Sequence, residues 1–247
     1  MEIRGKSAVV TGGGRGIGRA IVERLIEKCA NVVVADLESP TGGVTFVKAD
    51  VTREHDVEEM IAAAERRFGG LDILVNNAGG YQEPLFPDAP IEHWTWNLDL
   101  NLRSVMLGIH FAVESMAKRG GGAIVNVAST AGLSLAPHPG PEYAVAKAGV
   151  LRLTACLAPL AERGIRVNCV CPHTVATEAV RQEIDQLRKE GRQLPPALAG
   201  VLLEPEEVAA AVVELIEDET LAGRIMLCVG GEQPRLLSTE QPPGIHW

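Results

Sequence analysis

Strand-like and helix-like segments alternate along almost the whole chain of 247 residues, and this alternation limits the fold more than any other feature. The strand-like segments are short and rich in β-branched residues, and they read SAVVTG, NVVVAD, VTFVKAD, DILVNNAG, AIVNVAS, IRVNCVC and RIMLCVGG. Several are nearly continuous apolar runs, as expected for parallel strands that are covered on both faces. Helical patterns lie between them, near residues 17–29, 53–68, 91–119, 143–163 and 205–218. The alternation predicts an α/β fold with one doubly wound parallel sheet of about seven strands.

No linker, repeat or low-complexity segment interrupts this alternation. We therefore expect one domain over residues 1–247, with residues 232–247 as a peripheral tail. One connection is unusually short, because only LESPTGG, residues 37–43, separates VVVAD from VTFVKAD. A parallel crossover normally needs a dozen or more residues, usually including a helix. The sequence thus predicts that the helix after the second strand is missing or very short.

Composition and charge exclude several classes of protein. An apolar fraction of 46% with 22% charged residues is typical of a soluble globular protein. The net charge of −9 argues against a nucleic-acid partner. No apolar run approaches the roughly 20 residues that span a bilayer, so we expect a cytoplasmic protein with no membrane partner. The five cysteines are an odd number without a CxxC pair, which favours reduced thiols, and no metal site is expected.

A glycine-rich turn near the N-terminus predicts a nucleotide site. In VVTGGGRGIGRAIVERL, Gly12, Gly16 and Gly18 join a strand to a helix. Glycines at such a turn let the backbone approach a pyrophosphate, whose charge is stabilised by the N–H groups and dipole of the helix. Asp36 ends the second strand, where a carboxylate would accept from ribose hydroxyls and repel a 2′-phosphate. NAD is therefore favoured over NADP, although Arg15 could offer a phosphate contact; Asp36 could also be an ordinary turn residue.

Other polar residues end neighbouring strands on the same edge. Asp50 and Val51 follow the third strand, Asn76 to Gly79 follow the fourth, and Ser129 ends the fifth. Tyr143 and Lys147 come later, four residues apart, so they share one face of a helix. A phenol titrates near 10, and an adjacent ammonium favours the phenolate, so Tyr143 could be a base whose pKa Lys147 lowers. Ser129 would then bind the reacting oxygen; the alternative is a half-buried tyrosine beside a solvated lysine.

The ordered combination TGGGRGIG, Asp36, NNAG, Ser129 and Tyr-Ala-Val-Ala-Lys resembles the short-chain dehydrogenase/reductase family, from about residue 5 to about residue 230. The resemblance implies a Rossmann-type domain, often a homotetramer, that exchanges a hydride between NAD(P) and an alcohol or carbonyl. It also implies roles for four residues. Tyr143 would be the acid/base, Lys147 would bind the nicotinamide ribose, Ser129 would polarise the substrate oxygen and Asn101 would hold a relay water. Asn97 matches that position less well, and we expect it to be a surface helix residue.

The resemblance assigns the cofactor contacts as well. The residues implied are Gly12, Arg15, Gly16, Ile17 and Gly18 at the phosphates, Asp36, Asp50, Val51 and Asn77 at the adenosine, Ala78 and Gly79 at the cofactor backbone, and Pro172 and Thr177 near the nicotinamide. The sequence departs from the family pattern at one of these places, since His173 follows Pro172 where a glycine is usual. His173 could contact a polar substrate group, or it could simply be tolerated in a loop.

Further residues could border the substrate. His138 precedes the helix of Tyr143, where such enzymes line the substrate pocket. Tyr81, Trp94 and Trp96 could be pocket walls, although helix packing is the simpler interpretation. The segment after Thr177, through LRKEGRQLPPALAG, is expected to form a mobile lid.

The sequence analysis therefore favours an NAD-dependent oxidoreductase that interconverts a secondary alcohol and a ketone. The C-terminal segment loosely resembles the branch of 15-hydroxyprostaglandin dehydrogenase. A 3-oxoacyl thioester reductase and a cis-diol dehydrogenase are alternatives within the family, and a non-catalytic nucleotide sensor is an alternative of another class. The expected partner is a small alcohol or carbonyl substrate, and a homodimer or homotetramer is expected.

Overall fold

A computed structural model of the chain describes residues 1–40 and 43–239. Its strands are β1 Ser7–Thr11, β2 Asn31–Asp36, β3 Thr45–Lys48, β4 Ile73–Asn76, β5 Gly122–Val127, β6 Ile165–Pro172, β7 Ile225–Cys228 and β8 Arg235–Leu236. All join one sheet in the order β3-β2-β1-β4-β5-β6-β7-β8. The first seven are parallel and match the seven predicted strands, whereas the short β8 is antiparallel to β7 and was not predicted. The doubly wound α/β prediction is confirmed.

Helices cover both faces of the sheet. They are α1 Gly16–Glu27, α2 Glu54–Phe68, α3 Ile91–Leu98, α4 Ser104–Lys118, α5 Pro141–Cys156, α6 Glu178–Lys189, α7 Pro196–Ala199 and α8 Pro205–Glu217. Consecutive strand residues point to opposite faces, so Val10 packs in the cluster under α1 and α8 while Val9 packs in the cluster under α2, α4 and α5. These two apolar layers explain why the strands are apolar along their full length.

The described residues of the connection from β2 to β3 form no crossover helix. These residues, 37–40 and 43–44, contain no helical turn, and residues 41–42 lie outside the described part of the chain. β3 still pairs in parallel with β2, from Val33 opposite Thr45 to Asp36 opposite Lys48. The short extended return that the sequence predicts is therefore sufficient to place the edge strand.

Residues near the C-terminus extend the sheet beyond the predicted strands. Arg235 and Leu236, within the segment expected to be peripheral, pair with Leu227 and Met226 of β7. Residues 240–247 lie outside the described part of the chain. Within the described residues, no helix combines the length and apolar character needed to cross a bilayer, and no cluster of His, Cys, Asp and Glu could hold a metal ion.

β1 and β4 are neighbours in the sheet. From β1 the chain builds the sheet towards one edge, through β2 and β3, and from β4 it builds towards the other edge. Open α/β sheets bind ligands in the crevice at the carboxyl ends of such strands. In this chain those ends are Thr11 and Asn76. The fold therefore directs attention to the loops that follow them.

Candidate active site

A cleft of about 1280 Å³ lies over the carboxyl edge of the sheet. It is lined by nearly all the residues that the sequence analysis selected: Gly12, Arg15, Gly16, Ile17, Gly18, Asp36, Asp50, Val51, Asn77, Ala78, Gly79, Ser129, His138, Tyr143, Lys147, Pro172, His173 and Thr177. Asn101 is the exception, since it is fully buried beneath the cleft. We call residues 12–18, 36 and 77 the glycine-turn side, and residues 81, 138, 143 and 183 the tyrosine side.

The turn between β1 and α1 requires glycine for both conformation and space. Gly12 and Gly16 have φ of 61° and 54°, in the left-handed region that other residues rarely adopt. Gly18 is needed for space, because a Cβ on it would lie 2.0 Å from the carbonyl oxygen of Gly12. The turn therefore presents main chain, without side chains, at the N-terminus of α1, an arrangement that suits an anionic phosphate.

Asn77 and Thr11 tie the end of β4 to the glycine turn. The Asn77 Nδ2 donates to the carbonyl oxygens of Thr11 and Gly12, at 2.9 and 3.0 Å. In return, the Thr11 Oγ1 accepts from the backbone N–H groups of Asn77 and Ala78, both at 3.0 Å. The sequence analysis assigned Asn77 to the adenosine and overlooked Thr11. A buried hydroxyl residue at the carboxyl end of an otherwise apolar strand is the signal that could have identified it.

Main-chain donors fix the carboxylate of Asp36. Its Oδ2 accepts from the Gly14 N–H at 2.8 Å, and its Oδ1 accepts from the Leu37 N–H at 2.7 Å. A Cβ at Gly14 would approach Oδ2 to 2.9 Å, so the glycine permits this bond. Asp36 thus stands at the cleft wall with a defined orientation, bound to the same turn that would hold the phosphates.

Asp50 closes the far end of this side. Its Oδ1 accepts from the N–H of Thr52 at 3.0 Å and from the Thr52 hydroxyl at 2.7 Å, while its own N–H donates to Asp56 at the start of α2. Val51 follows as a buried apolar residue. The pair presents one polar and one apolar group to the cleft, which suits the edge and face of a base such as adenine.

Asn101 lies in a π-helical segment, Asp99–Arg103, which joins α3 to α4 within the long predicted helix. Its Nδ2 donates to the Gly80 carbonyl at 2.7 Å and to the Asn97 Oδ1 at 2.9 Å, while its Oδ1 accepts from the Gly80 N–H at 3.0 Å. Asn97 is only 1% exposed, so the expectation of a surface residue was wrong: its side chain supports Asn101. π-helical turns often occur at functional sites, and this one places Asn101 against the Gly80 loop.

Gly79 lies between two of the predicted catalytic residues. A Cβ there would lie 2.8 Å from the Asn101 Oδ1 and 3.1 Å from the Lys147 Nζ. Any larger residue would force Asn101 and Lys147 apart or displace the loop. The last residue of NNAG must therefore be glycine, because Asn101 and Lys147 leave no space for a side chain there.

Aromatic rings enclose Tyr143 at the start of α5. The ring of Tyr81 meets it edge-on, with centroids 5.4 Å apart, and the ring of His138 stacks on it at 6.0 Å. The His138 Nδ1 lies 3.1 Å from both the backbone nitrogen and the carbonyl oxygen of Gly140, so this ring nitrogen is engaged by the turn before α5. Tyr81, which could have been a packing residue, is thus a wall of the cleft; Trp96 also lines the cleft, whereas Trp94 does not.

The Tyr143 phenol is held in its neutral form. Burial raises its pKa above the ordinary value, and the nearby Ser129 hydroxyl acts in the opposite direction. In the protein without cofactor the pKa is therefore raised, because loss of solvent outweighs the stabilisation of the phenolate; the lowering expected from Lys147 together with a nicotinamide cation stays a prediction. Ser129 itself caps the turn Thr130–Gly132 by accepting from the Ala131 N–H at 3.2 Å.

Lys147 is buried, with 3% of its surface exposed. Its Nζ donates to the Val127 carbonyl at 2.9 Å and lies 5.6 Å from the centre of the Tyr143 ring. Burial lowers the pKa of this ammonium to about 8, so it is largely charged at neutral pH and can release a proton in mildly alkaline solution. The alternative of a solvated lysine is therefore wrong.

His173 and Thr177 occupy the loop after β6. The His173 Nδ1 lies 3.2 Å from the Thr130 Oγ1, so its imidazole is paired across the mouth of the cleft. Thr177 caps α6 by accepting from the Val180 N–H, and its methyl carbon would lie 3.2 Å from a Cβ on Gly16. This loop therefore packs directly against the glycine turn.

The segment expected to be a mobile lid contains regular structure. α6 and α7 cover part of it, and Gln182, Glu183 and Ala197 line the cleft. Sequence reasoning missed α6 because charged residues dominate it, although its apolar positions Ile184 and Leu187 are spaced as on one helical face.

The residues present fit a dinucleotide. The side-chain-free turn at the N-terminus of α1, the oriented carboxylate of Asp36 and the Asp50–Val51 wall follow one another along the cleft towards Tyr143. A chain of sites for phosphate, ribose and base leading to a titratable pair is the arrangement expected for a bound hydride carrier.

Comparisons with known proteins agree with this geometry. The family described as short chain dehydrogenase matches residues 6–188. An uncharacterized oxidoreductase of Thermotoga maritima is 33% identical over 96% of this chain and 100% of its own length. The D-beta-hydroxybutyrate dehydrogenase of Rhizobium meliloti is 33% identical over 95% of each chain.

Among solved structures, the ligand-free aldohexose dehydrogenase of Thermoplasma acidophilum superposes with a TM-score of 0.83 at 27% identity, covering 97% of this chain and 98% of that one. Together with the family match over most of the sequence, these relatives identify the chain as an enzyme of the short-chain dehydrogenase/reductase family, whose members bind nicotinamide cofactors and interconvert alcohols and ketones.

Proposed function

We propose that this protein is an NAD-dependent dehydrogenase that interconverts a secondary alcohol and a ketone, with Tyr143 as the acid/base. The observation that carries the proposal is the meeting of Ser129, Tyr143 and Lys147 in the cleft that begins at the glycine turn. Ser129 follows β5, whereas Tyr143 and Lys147 lie one turn apart on α5, and all three line the same cleft. NAD, when bound, accepts the hydride from the alcohol or, as NADH, returns it to the ketone.

Tyr143 supplies the proton chemistry. Its phenol is neutral at rest and donates its proton to the oxygen of a ketone, or takes the hydroxyl proton of an alcohol in the opposite direction. Ser129 donates a hydrogen bond to the same substrate oxygen and favours the phenolate. Lys147, charged and buried beside the ring, stabilises the negative charge that develops on the phenolate. With a cofactor bound, Lys147 would also bind the nicotinamide ribose.

Asn101 acts as a positioning residue. It bonds to the N–H and to the carbonyl oxygen of Gly80 and thereby fixes the loop that leads from β4 to Tyr81. The Asn101 Oδ1 and the Lys147 Nζ both lie beside Gly79. Together with Tyr143 they could form a line of polar groups leading out of the site. A water held along this line would connect Tyr143 with solvent for proton exchange.

Asp36 supports NAD over NADP. Its carboxylate stands where the adenosine ribose would lie, can accept from the ribose hydroxyls, and would repel a 2′-phosphate. Arg15 lines the same part of the cleft and is the one basic side chain among the lining residues there, so it is the group that would favour NADP. The orientation of Asp36 by Gly14 and Leu37 supports the first choice.

The relatives widen the choice of substrate. The two named above are dehydrogenases of D-beta-hydroxybutyrate and of aldohexoses, both of which carry secondary hydroxyls. A 3-oxoacyl thioester reductase and a cis-diol dehydrogenase remain alternatives, and the prostaglandin-type branch has no support from the relatives reported. We further propose one catalytic domain, a cytoplasmic location and a homodimer or homotetramer.

Replacing Tyr143 with Phe tests the mechanism. The change keeps the ring contacts with Tyr81 and His138 but removes the proton donor, so we expect kcat to fall about 1000-fold with unchanged NAD affinity. Tyr81→Phe is the matched variant, since it removes the other phenol of the cleft, and it should lose no more than about tenfold. Reduced-cofactor absorbance with a panel of secondary alcohols measures the rates.

A different result would redirect the assignment. Tight NAD binding by the unmodified protein without turnover of any alcohol or ketone would favour the nucleotide sensor. Equal losses in the two tyrosine variants would contradict the role of Tyr143. Tight NADP binding with weak NAD binding would contradict the role of Asp36.

A further inference from the structure

Positive charge is missing from the tyrosine side of the cleft. Among all the lining residues, which lie within the described part of the chain, the only lysine or arginine side chains are Arg15 and Lys147. Arg15 belongs to the glycine-turn side, and Lys147 is buried against Val127 beneath the tyrosine ring. No guanidinium or ammonium therefore faces the space beyond Tyr143 where a substrate would extend.

The arginine of the neighbouring helix is turned elsewhere. Arg181, in the second turn of α6, donates through Nε to the Ala176 carbonyl at 3.0 Å and through its guanidinium to the Glu204 Oε2 at 2.6 Å. Both partners lie outside the cleft lining. Its charge is neutralised by Glu204, so it does not compensate for the missing cation.

Glu183 instead brings negative charge to this space. It lies on α6, lines the cleft and is exposed, without a hydrogen bond or ion pair to its carboxylate among the described residues. Burial raises the pKa of Tyr81 and the charges of Glu183 and Glu83 raise it further, and the ring of Tyr81 is 5.4 Å from that of Tyr143. Glu183 is thus close enough to a wall of the cleft to influence what occupies it.

Neutral hydrogen-bonding groups complete the lining. The Tyr81 hydroxyl, the Gln182 amide and the Ser134 hydroxyl can each donate and accept. His138 contributes its Nε2, since its Nδ1 is engaged by Gly140. A second carboxylate of α6, Glu178, also lines the cleft, and its Oε1 accepts from the Gln182 amide at 3.1 Å. A surface that mixes neutral groups with carboxylates suits a ligand rich in hydroxyls, because each hydroxyl also both donates and accepts.

Resting on the function proposed above, we infer that the substrate is an uncharged, polyhydroxylated alcohol such as an aldose or a cyclic polyol, and that Glu183 determines this choice. Glu183 accepts from substrate hydroxyls at a distance from the reacting carbon. The same carboxylate repels substrates that carry a carboxylate or phosphate, and no cation on this side of the cleft offsets the repulsion. The repulsion weakens as salt screens the exposed charge.

The test separates binding from turnover. Ligand-detected NMR measures the affinity of D-glucose, myo-inositol, 3-hydroxybutyrate and 1-amino-2-propanol for Tyr143→Phe protein saturated with NAD. We expect a neutral polyol to bind at least tenfold more tightly than the anion, which Glu183 repels, and more tightly than the cation, which has a single hydroxyl to bond. Adding Glu183→Gln should weaken the polyol about tenfold, and Glu183→Lys should raise the ratio of anion to polyol affinity at least tenfold.

Asp185→Asn is the matched control. It removes one carboxylate from the same helix, at a position outside the cleft lining, and should leave every affinity within about twofold. Failure of both polyols to bind, preference for 3-hydroxybutyrate or for the amino alcohol, or equal effects of Glu183→Gln and Asp185→Asn would each overturn the inference. Polyol binding without turnover by the unmodified enzyme would leave the inference intact and contradict the dehydrogenase proposal.

Discussion

The glycine-turn side of the cleft is positioned by main chain, whereas the tyrosine side is built from side chains on loops, on the start of α5 and on α6. On the first side, Asp36 and Asn77 are each fixed by backbone groups of the turn. On the second side, Tyr81 is 53% exposed and Glu183 is free of ionic partners among the described residues. The difference suits a site in which one part holds a constant ligand and the other can change its specificity by substitution.

Substitutions at two glycines, one on each side of the cleft, test this difference most directly. A Cβ on Gly18 would overlap the Gly12 carbonyl at 2.0 Å, whereas a Cβ on Gly140, beside the tyrosine side, would meet only ordinary contacts at 3.7 Å or more. We expect Gly18→Ala to weaken NAD binding at least 100-fold, because the turn must move off α1. Gly140→Ala should change it less than about threefold. Circular dichroism of both variants and NAD titration check this, and equal affinities would show that the turn is not rigid.

Lys147 joins the two sides, and its burial has a cost that depends on pH. Its pKa is lowered from 10.5 to about 8, so the folded protein releases this proton at a lower pH than the unfolded chain. The cost, about 3 kcal/mol, is fully present below pH 8 and disappears as the pH rises towards 10.5. The stability of the unmodified protein relative to Lys147→Met should therefore rise by about 2 to 3 kcal/mol between about pH 7 and pH 10.

Urea unfolding at several pH values in the absence of cofactor measures that change. Lys118→Met, which removes an exposed lysine of α4 paired with Glu114, is the control and should show no comparable pH dependence. A parallel pH profile for the two variants would mean that Lys147 is solvated in solution, which would contradict the tight packing of the site around Gly79.

Asp36 tests whether the glycine-turn side also selects the cofactor. Asp36→Ser removes the charge but keeps an acceptor for the Gly14 N–H, so we expect the ratio of NAD to NADP affinity to fall about 30-fold. Glu38→Gln removes a nearby exposed carboxylate that does not line the cleft, and it should leave the ratio within about twofold. Fluorescence titration of both reduced cofactors gives the ratio, and an unchanged value for Asp36→Ser would remove the basis for NAD.

The smallest effect is expected at His173. Its imidazole is exposed and paired with Thr130, so His173→Gly should raise KM for the true substrate two- to fivefold and leave kcat and NAD affinity unchanged. The kinetics of the purified variant decide this. Unchanged kinetics would mean that His173 has no role in substrate binding and is merely tolerated in the loop. A loss of NAD affinity would mean that it contributes to cofactor binding, as the glycine-turn side does.

The contrast between the two sides also explains what the sequence could predict. Gly12, Gly18 and Asp36 were recognised because backbone conformation and strand endings leave direct traces in residue type and spacing. The seven parallel strands were recognised for the same reason, since burial on both faces makes them apolar throughout. By contrast, Asn97 was expected on the surface because helical periodicity assumes regular α-helical geometry over the whole of residues 91–119. The extra residue of the π-helical segment rotates α3 relative to α4, so the buried face of α3 differs from the one that the periodicity predicts.

Other errors have a different physical origin. α6 was missed because few of its residues contact the core, and its charged face resembles a solvated loop. The raised pKa of Tyr143 in the protein without cofactor was not foreseen, because the approach of Lys147 can be read from spacing whereas burial depends on surroundings that include Tyr81, from a loop far away in the sequence. Tertiary surroundings, unlike spacing, have no local signature.

The π-helical segment Asp99–Arg103 restricts which changes of chain length this protein can accept during evolution. Removing one residue to restore regular winding would rotate α3 against α4 by about 100°. Either Asn101 would leave Gly80, or the apolar face of α4 with Val105 and Ile109 would leave the core. Insertions and deletions should therefore accumulate in the loops of the tyrosine side, while the length of this helix is inherited unchanged.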